Sequence, residues 1–291
     1  MKMGSISVNA YYELKSKKIK DKFVWEIDNF FTSGGFGMLF NIKKIGDMKR
    51  YVIKFGNYDS GSIYYEQKIY HELLKKKPNH INILPLITYG LDITVNNVKQ
   101  DNIILPKMRY SLLDYDLQRE HFSIFSIKII RVLEYMNSLK LSHNDIKPEN
   151  IVFNRGDEPY IIDFGLTRNF EKEKYQRKDE NVLGSLSYMS LDLHNGIITQ
   201  RSDLISFGLV LYLLLEQKEL PWDYNNPKEY NSKTYFEDDN EVVVEEKKKF
   251  FENKDKSYFT NPLLIDYFNL INKRAFNQRP LYAKLYELFH F

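Results

Sequence analysis

Apolar positions along this chain shift between alternate spacing and helical spacing, and each shift predicts a different element. In the first hundred residues alternation dominates. Phe23–Ile27 and Met38–Ile42 flank a glycine-containing turn, and Tyr51–Phe55 alternates up to Gly56; such runs read as strands. From Ser62 to Lys76 the period lengthens. Ile63, Ile69, Leu73 and Leu74 stand among charged residues, and Pro78 and Asn79 follow, which predicts one helix with a clear stop. Ile81–Tyr89 and Ile103–Met108 read as further strands. Beyond about Tyr110, Phe122, Phe125, Ile129, Leu133 and Met136 recur at helical spacing, so Phe122–Leu139 is a helix with one buried face. Two short strands, Ile151–Phe153 and Tyr160–Ile162, enclose a turn at Arg155–Asp157. Helices follow at Leu204–Glu216 and Pro262–Lys273. The charged stretch Asp223–Lys256 reads as loop with one helix in it.

A strand-rich part with one helix therefore precedes a larger helical part, an α+β arrangement. Apolar residues make up 43% of 291, enough for a substantial core, and the formal charge of +3 is too small to argue for nucleic acid or a membrane surface. There is no cysteine, which excludes disulfides, zinc-thiolate sites and cysteine nucleophiles. The N-terminal residues lack the apolar stretch of a signal peptide. The longest apolar run, Leu204–Leu215, is 12 residues and contains Ser206 and Gly208, too short to span a bilayer. An intracellular, soluble protein is expected, cytoplasmic or nuclear.

Chemistry concentrates in one string, His143-Asn144-Asp145-Ile146-Lys147-Pro148-Glu149-Asn150, placed between a helix and a strand. Thirteen residues on, directly after another strand, stands Asp163-Phe164-Gly165. Phosphoryl transfer needs positioning and charge neutralisation more than covalent help. Asp145 can accept the proton of an attacking hydroxyl, and Lys147 can neutralise the phosphate in transit. Asn150 and Asp163 can each offer a hard oxygen to Mg²⁺.

Together these motifs resemble the catalytic and magnesium loops of the protein-kinase superfamily. The resemblance implies a bilobal fold: a small antiparallel-sheet N-lobe with one main helix over residues 1–106, and a larger, mainly helical C-lobe over 107–291. It also implies further parts upstream. Thr32-Ser33-Gly34-Gly35-Phe36-Gly37-Met38-Leu39 is similar to the glycine-rich loop over the ATP phosphates, where glycine lets backbone N–H groups approach phosphate oxygens. Lys54, in Tyr51-Val52-Ile53-Lys54, matches the strand lysine that holds the α- and β-phosphates. Its acidic partner would be Glu66 on the helix, with Glu72 as the alternative. Leu105 looks like the gatekeeper. Met108 is the better hinge donor, since Pro106 has no N–H. Ser33, Gly34, Gly35, Phe36, Gly37, Leu39, Lys54, Leu105 and Met108 are thus the expected nucleotide contacts. Asp145, Lys147, Lys54 and Glu66 are the expected catalytic set, and Asn150 and Asp163 the metal ligands.

Downstream, Gly184-Ser185-Leu186-Ser187-Tyr188-Met189-Ser190 stands where kinases keep the substrate-facing loop. No A-P-E follows. Instead come Leu191-Asp192-Leu193-His194-Asn195-Gly196 and Arg201-Ser202-Asp203-Leu204-Ile205-Ser206-Phe207-Gly208. This pattern, with Gln278-Arg279-Pro280, resembles the casein-kinase-one group, and within it the vaccinia-related kinases and their poxvirus relatives. That resemblance implies a serine/threonine kinase using ATP and Mg²⁺, with Mn²⁺ as a substitute. It implies a protein substrate, neither nucleic acid nor membrane as partner, a monomer, and host cytoplasm if the source is viral. Asp203 would brace the catalytic-loop backbone.

Two letters depart from the superfamily pattern. Thr32 replaces the first glycine of the nucleotide loop. Asn144 replaces the arginine that usually pairs with a phosphate on the activation segment, and an uncharged side chain cannot make that pair. Activity without activation-loop phosphorylation is expected. The alternative is a pseudokinase, an ATP-binding or scaffolding module. The cations Arg168, Lys172, Lys174, Arg177 and Lys178 would be solvated, or would dock acidic substrates.

Overall fold

A computed structural model describes residues 18–20, 24–34, 37–57, 61–95, 98–171, 184–223, 237–252, 258–273, 275 and 277–290. They fall into two compact units, residues 1–77 with 83–109, and residues 78–82 with 110–291.

The first unit is built on an antiparallel sheet of seven strands. These are β1 (Lys18–Lys20), β2 (Val24–Gly34), β3 (Gly37–Lys44), β4 (Tyr51–Asn57), β5 (Thr88–Tyr89), β6 (Thr94–Val95) and β7 (Val98–Pro106). Their order is β1-β2-β3-β4-β7-β5, with β6 paired to β7. Alternation sends Trp25, Ile27, Phe40, Ile42, Ile53, Phe55 and Ile104 into one core, all at most 1% exposed. Helix α1 (Ser62–Lys75) buries Ile63, Glu66, Ile69, Tyr70 and Leu73. Four of these are the apolar stripe that burial rewards. Glu66 is the exception, because it has a charged partner.

One expected strand fails. Of Ile81–Tyr89 only Thr88–Tyr89 joins the sheet. Pro85 has no N–H to donate to a ladder; Ile81, Ile83 and Leu84 are buried, and Ile83 makes only an isolated bridge that does not extend into a strand. Ile103–Met108 is also shifted: β7 starts at Val98 and ends at Pro106, so Met108 lies beyond the ladder.

The second unit contains β8 (Tyr110–Ser111), α2 (Phe122–Ser138), β9 (Leu141–Ser142), β10 (Ile151–Phe153), β11 (Pro159–Ile161) and β12 (Arg168–Asn169). Helices α3 (Leu191–His194), α4 (Ser202–Glu216), α5 (Glu237–Glu252), α6 (Pro262–Asn272) and α7 (Tyr282–Leu288) complete it. Every residue of α4 from Ser202 to Tyr212 is buried, as its unbroken apolar run requires. Its final residue, Glu216, accepts the Thr260 and Asn261 N–H groups at 2.8 and 2.9 Å, together with the Thr260 hydroxyl. Burial raises the Glu216 carboxyl, but these donors outweigh it and hold the group below its ordinary value. The charged stretch after Asp223 contains α5, which buries Val243, Lys247 and Phe250.

Candidate active site

In the first unit, Lys54 lies on β4 opposite Leu39 of β3 and Ile103 of β7. Its side chain is 7% exposed and its Nζ stands 2.8 Å from Glu66 Oε2, whose side chain is 1% exposed. A buried ammonium needs such a partner. Glu72 is exposed two turns along the same helix and takes no part. The glycine-rich segment is a hairpin whose ladder runs Thr32↔Leu39, Ser33↔Met38 and Gly34↔Gly37. Gly35 and Phe36 lie outside the described residues. Thr32 is therefore a ladder residue, paired with Leu39 ahead of the turn. Gly37 is a different case. Its φ is +144°, and a Cβ there would sit 2.0 Å from the Phe55 carbonyl oxygen, so the close approach of β4 admits only glycine. Leu105 is buried opposite Val52, and Met108 is half-buried.

In the second unit, the catalytic string leaves β9 and is anchored from beneath by α4. Asp203, buried on that helix, accepts the His143 N–H on Oδ2 at 2.7 Å and the Asn144 N–H on Oδ1 at 2.9 Å. Burial pushes the Asp203 carboxyl up from its ordinary value, against the pull of the two backbone donors. His143 is fully buried. Its Nδ1 accepts the Asp145 N–H at 3.2 Å, which leaves Nε2 to donate to the Ile162 carbonyl at 3.0 Å. Its ring packs edge-on against Phe164, with centroids 5.3 Å apart. One histidine thus ties the string to the segment that carries Asp163.

Asp145 is 5% exposed, and four donors fix its carboxylate. Ser185 gives Oδ1 its N–H at 3.0 Å and its hydroxyl at 2.7 Å. Asn150 Nδ2 donates to Oδ2 at 2.9 Å, and Lys147 Nζ stands 3.0 Å from the same oxygen. Lys147 also donates to Ser185 Oγ at 2.6 Å. With the Asn150 amide nitrogen turned to Asp145, its Oδ1 is the atom suited to a cation. The Ile162 N–H donates to the Asn150 carbonyl at 3.0 Å, which sets Asp163 next along the chain. Asp163 itself is held at φ +66°, a strained setting for a non-glycine residue that is characteristic of functional positions.

Mg²⁺ keeps several waters and takes one or two protein oxygens besides phosphate. Asn150 and Asp163 fit that demand, and among the described residues no cluster of three or more carboxylates or histidines offers a fuller cage.

Sequence reasoning assigned no role to Ser185, although it follows Gly184 in the loop. Gly184 has φ +106°, and a Cβ there would lie 2.3 Å from the Asn144 carbonyl oxygen, so this glycine lets the loop touch the catalytic string. Asn144 is also more than a lost arginine. At φ +67° and 3% exposed, its Oδ1 accepts from Ser142 Oγ at 2.9 Å. Its Nδ2 donates to the carbonyls of Ser142 at 3.1 Å and Leu166 at 2.9 Å. Asp192 and Arg201, from the stretches that stand in place of A-P-E, form a two-point ion pair at 2.8 and 2.9 Å. Of the cations expected near the substrate, Arg168 donates to the Thr167 carbonyl at 2.8 Å; Lys172, Lys174, Arg177 and Lys178 lie outside the described residues.

The sheet unit thus carries a buried lysine–glutamate pair, and the helical unit an aspartate, lysine and asparagine locked together. The sequence matches the protein kinase domain over residues 25–279, and the chain belongs to the protein kinase family, whose members generally use ATP and Mg²⁺ and act on proteins. It is 26% identical over 290 residues to a "probable serine/threonine-protein kinase" of fowlpox virus, covering 91% of this chain and 92% of that one. It is 29% identical over 205 residues to a "probable casein kinase I homolog" of Encephalitozoon cuniculi, covering 65% and 61%. It is 27% identical over 289 residues to nucleosomal histone kinase 1 of Drosophila melanogaster, covering 89% of this chain and 46% of that one. Poxvirus kinases and casein kinase I are the groups its motifs resemble. No helix among the described residues is long and apolar enough to cross a membrane.

Proposed function

We propose that this chain transfers the γ-phosphate of Mg·ATP to a serine or threonine hydroxyl of a protein, without prior phosphorylation of its activation segment. The observation that carries this reading is the Asp145 carboxylate, held by Ser185, Asn150 and Lys147 together. ATP with its metal supplies the activated phosphoryl group and neutralises its charge. Asp145 orients the attacking hydroxyl and takes its proton. Lys147 offsets charge on the phosphoryl oxygens, and Asn150 and Asp163 hold the metal. Lys54, oriented by Glu66, would hold the α- and β-phosphates, with backbone N–H groups of the glycine-rich segment as further donors. Leu39, Leu105 and Met108 receive the adenine. Residues 1–106 carry the nucleotide-binding work and residues 107–291 the catalytic and substrate-binding work.

Serine/threonine specificity is supported by Lys147, two residues after Asp145, and by the relatives' descriptions. Independence from phosphorylation is supported by Asn144, whose amide is committed to Ser142 and Leu166. Between Arg168 and Gly184 the sequence contains no serine or threonine, and Tyr175 is its one hydroxyl. The pseudokinase alternative rests on Thr32 and Asn144; against it stands the Asn144 amide, which has bonds of its own to Ser142 and Leu166. A monomer in the cytoplasm or nucleus, or in host cytoplasm for a viral source, fits this reading.

The test is protein made in a kinase-free system and assayed with Mg·ATP on degenerate serine, threonine and tyrosine peptides. Transfer to serine or threonine, abolished in Asp145→Asn and Asp163→Ala, is expected. Transfer to tyrosine alone, or activity only after treatment with a second kinase, would refute it.

A further inference from the structure

Lys247 has no part in the chemistry above, yet it is fully buried. Lysine almost never is unless paired. It projects from α5, and its Nζ donates to the Leu186 carbonyl at 2.6 Å and the Met189 carbonyl at 2.7 Å. The third neighbour is His194 Nε2 at 3.0 Å, and the Trp222 ring centroid lies 5.1 Å away. Burial drives the ammonium well below the usual lysine range, while the Asp223 charge pulls the other way. Both protonation states fit the site. An ammonium donates to two carbonyls and the imidazole; an amine donates to the carbonyls and accepts from an imidazole N–H.

Both carbonyls belong to the loop Gly184–Ser190. That loop has two distinct sets of attachments. Ser185 binds Asp145 and Lys147, as described. Farther along, Trp222 Nε1 donates to the Ser187 carbonyl at 2.9 Å, the Ser187 hydroxyl donates to Asp223 at 2.7 Å, and Lys247 gathers the carbonyls on either side. The catalytic groups thus hold one end of the loop. The rest is held by α5 and by residues just after α4.

We infer that Lys247 is a positioning residue for protein substrate: it fixes the Leu186–Met189 backbone against which the peptide near the phosphorylated hydroxyl is read. This rests on the proposal that the chain phosphorylates proteins, with Gly184–Ser190 facing the substrate. Releasing the two carbonyls loosens the peptide-facing stretch while Ser185 keeps its own contacts. The loss therefore falls on peptide binding more than on turnover.

The experiment compares wild type, Lys247→Met and Trp222→Phe by steady-state kinetics on the best peptide from the degenerate set. Lys247→Met keeps the length and loses all donors. Peptide KM should rise on the order of tenfold, with kcat and the KM for ATP within about twofold. Trp222→Phe keeps a ring beside Lys247 and removes the bond to Ser187; its peptide KM should rise about threefold. If Lys247→Met does not fold, Trp222→Phe decides. Unchanged peptide KM in the folded variants overturns the inference, as does an equal fall across kcat and both KM values, which marks a merely structural lysine. A wild type that phosphorylates no peptide overturns the underlying reading instead, and the inference with it.

Discussion

Replacing Asp203 tests the link between the helical core and the catalytic loop. Its carboxylate is the acceptor for two buried backbone N–H groups, those of His143 and Asn144. In Asp203→Ala both donors lose it. A buried donor without a partner costs about 1–3 kcal/mol, so the pair sets a gross loss of about 2–6 kcal/mol. Removing a buried carboxyl relieves part of its desolvation, and a net destabilisation of about 2–4 kcal/mol is expected. For a unit of this size each 1 kcal/mol moves the midpoint by about 2–4 °C, which gives a drop of roughly 5–15 °C in a thermal melt. Asp203→Asn keeps one acceptor and turns an amide nitrogen toward the other N–H, so about half that loss should remain. Activity should fall further than stability alone requires, because the unsupported backbone carries Asp145. A misplacement of about 1 Å can cost on the order of 10²-fold in rate. The melt and kcat are measured on the same preparations, below the variant's midpoint. A midpoint within 2 °C of wild type, or a kcat within threefold, would show that the two bonds neither brace the loop nor place Asp145.

Other substitutions probe separate features. Lys54→Met takes the ammonium away from the buried Glu66 carboxylate, so a loss of about 3–5 kcal/mol in unfolding free energy is expected, with transfer abolished; undiminished transfer would remove Lys54 from the site. Gly184→Ala places a Cβ 2.3 Å from the Asn144 carbonyl at a φ of +106°, and peptide phosphorylation should fall at least tenfold. Normal kinetics in that variant would mean the loop need not touch the catalytic string. Glu216 has a depressed pKa when folded, so its stabilising contribution is fully present above the ordinary glutamate value of 4.5 and is lost as pH falls through the folded value. Glu216→Gln should therefore lower the midpoint at pH 7 and narrow its gap to wild type as the pH approaches 3. A gap independent of pH contradicts the assignment.

Much of the fold was legible because its pattern is local. The stripe Phe122, Phe125, Ile129, Leu133 and Met136 is buried along α2, and the apolar run of α4 is the buried helix its length suggested. The catalytic string and Asp163 could likewise be read as short words. What stayed hidden depends on contacts distant in sequence, or on one residue breaking a local rule. Ile81–Tyr89 has a strand's composition, but Pro85 cannot feed a ladder. Helix α5 turns inward through Val243, Lys247 and Phe250, and a charged residue in the middle of the buried face erases the periodicity that would have defined it. Ser185 is an ordinary polar loop residue until folding brings it within 2.7 Å of Asp145, forty positions away.

Thr32 and Asn144 look like defects when aligned to the superfamily pattern, and the structure gives each a different use. Thr32 sits in a paired strand before the tight part of the hairpin, whereas Gly37, hard against the Phe55 carbonyl, cannot be replaced. Asn144 makes uncharged hydrogen bonds where the pattern has a charged side chain. An arginine there would depend on a phosphate arriving, while the Asn144 amide already bonds the Leu166 carbonyl beyond Asp163. Asp192 and Arg201 close a two-point pair in the stretch that lacks A-P-E, and Lys247 secures two carbonyls of the neighbouring loop. None of these bonds depends on a modification. Each joins groups that the chain itself supplies, and on that ground rests the proposal that the activation segment works without a phosphate.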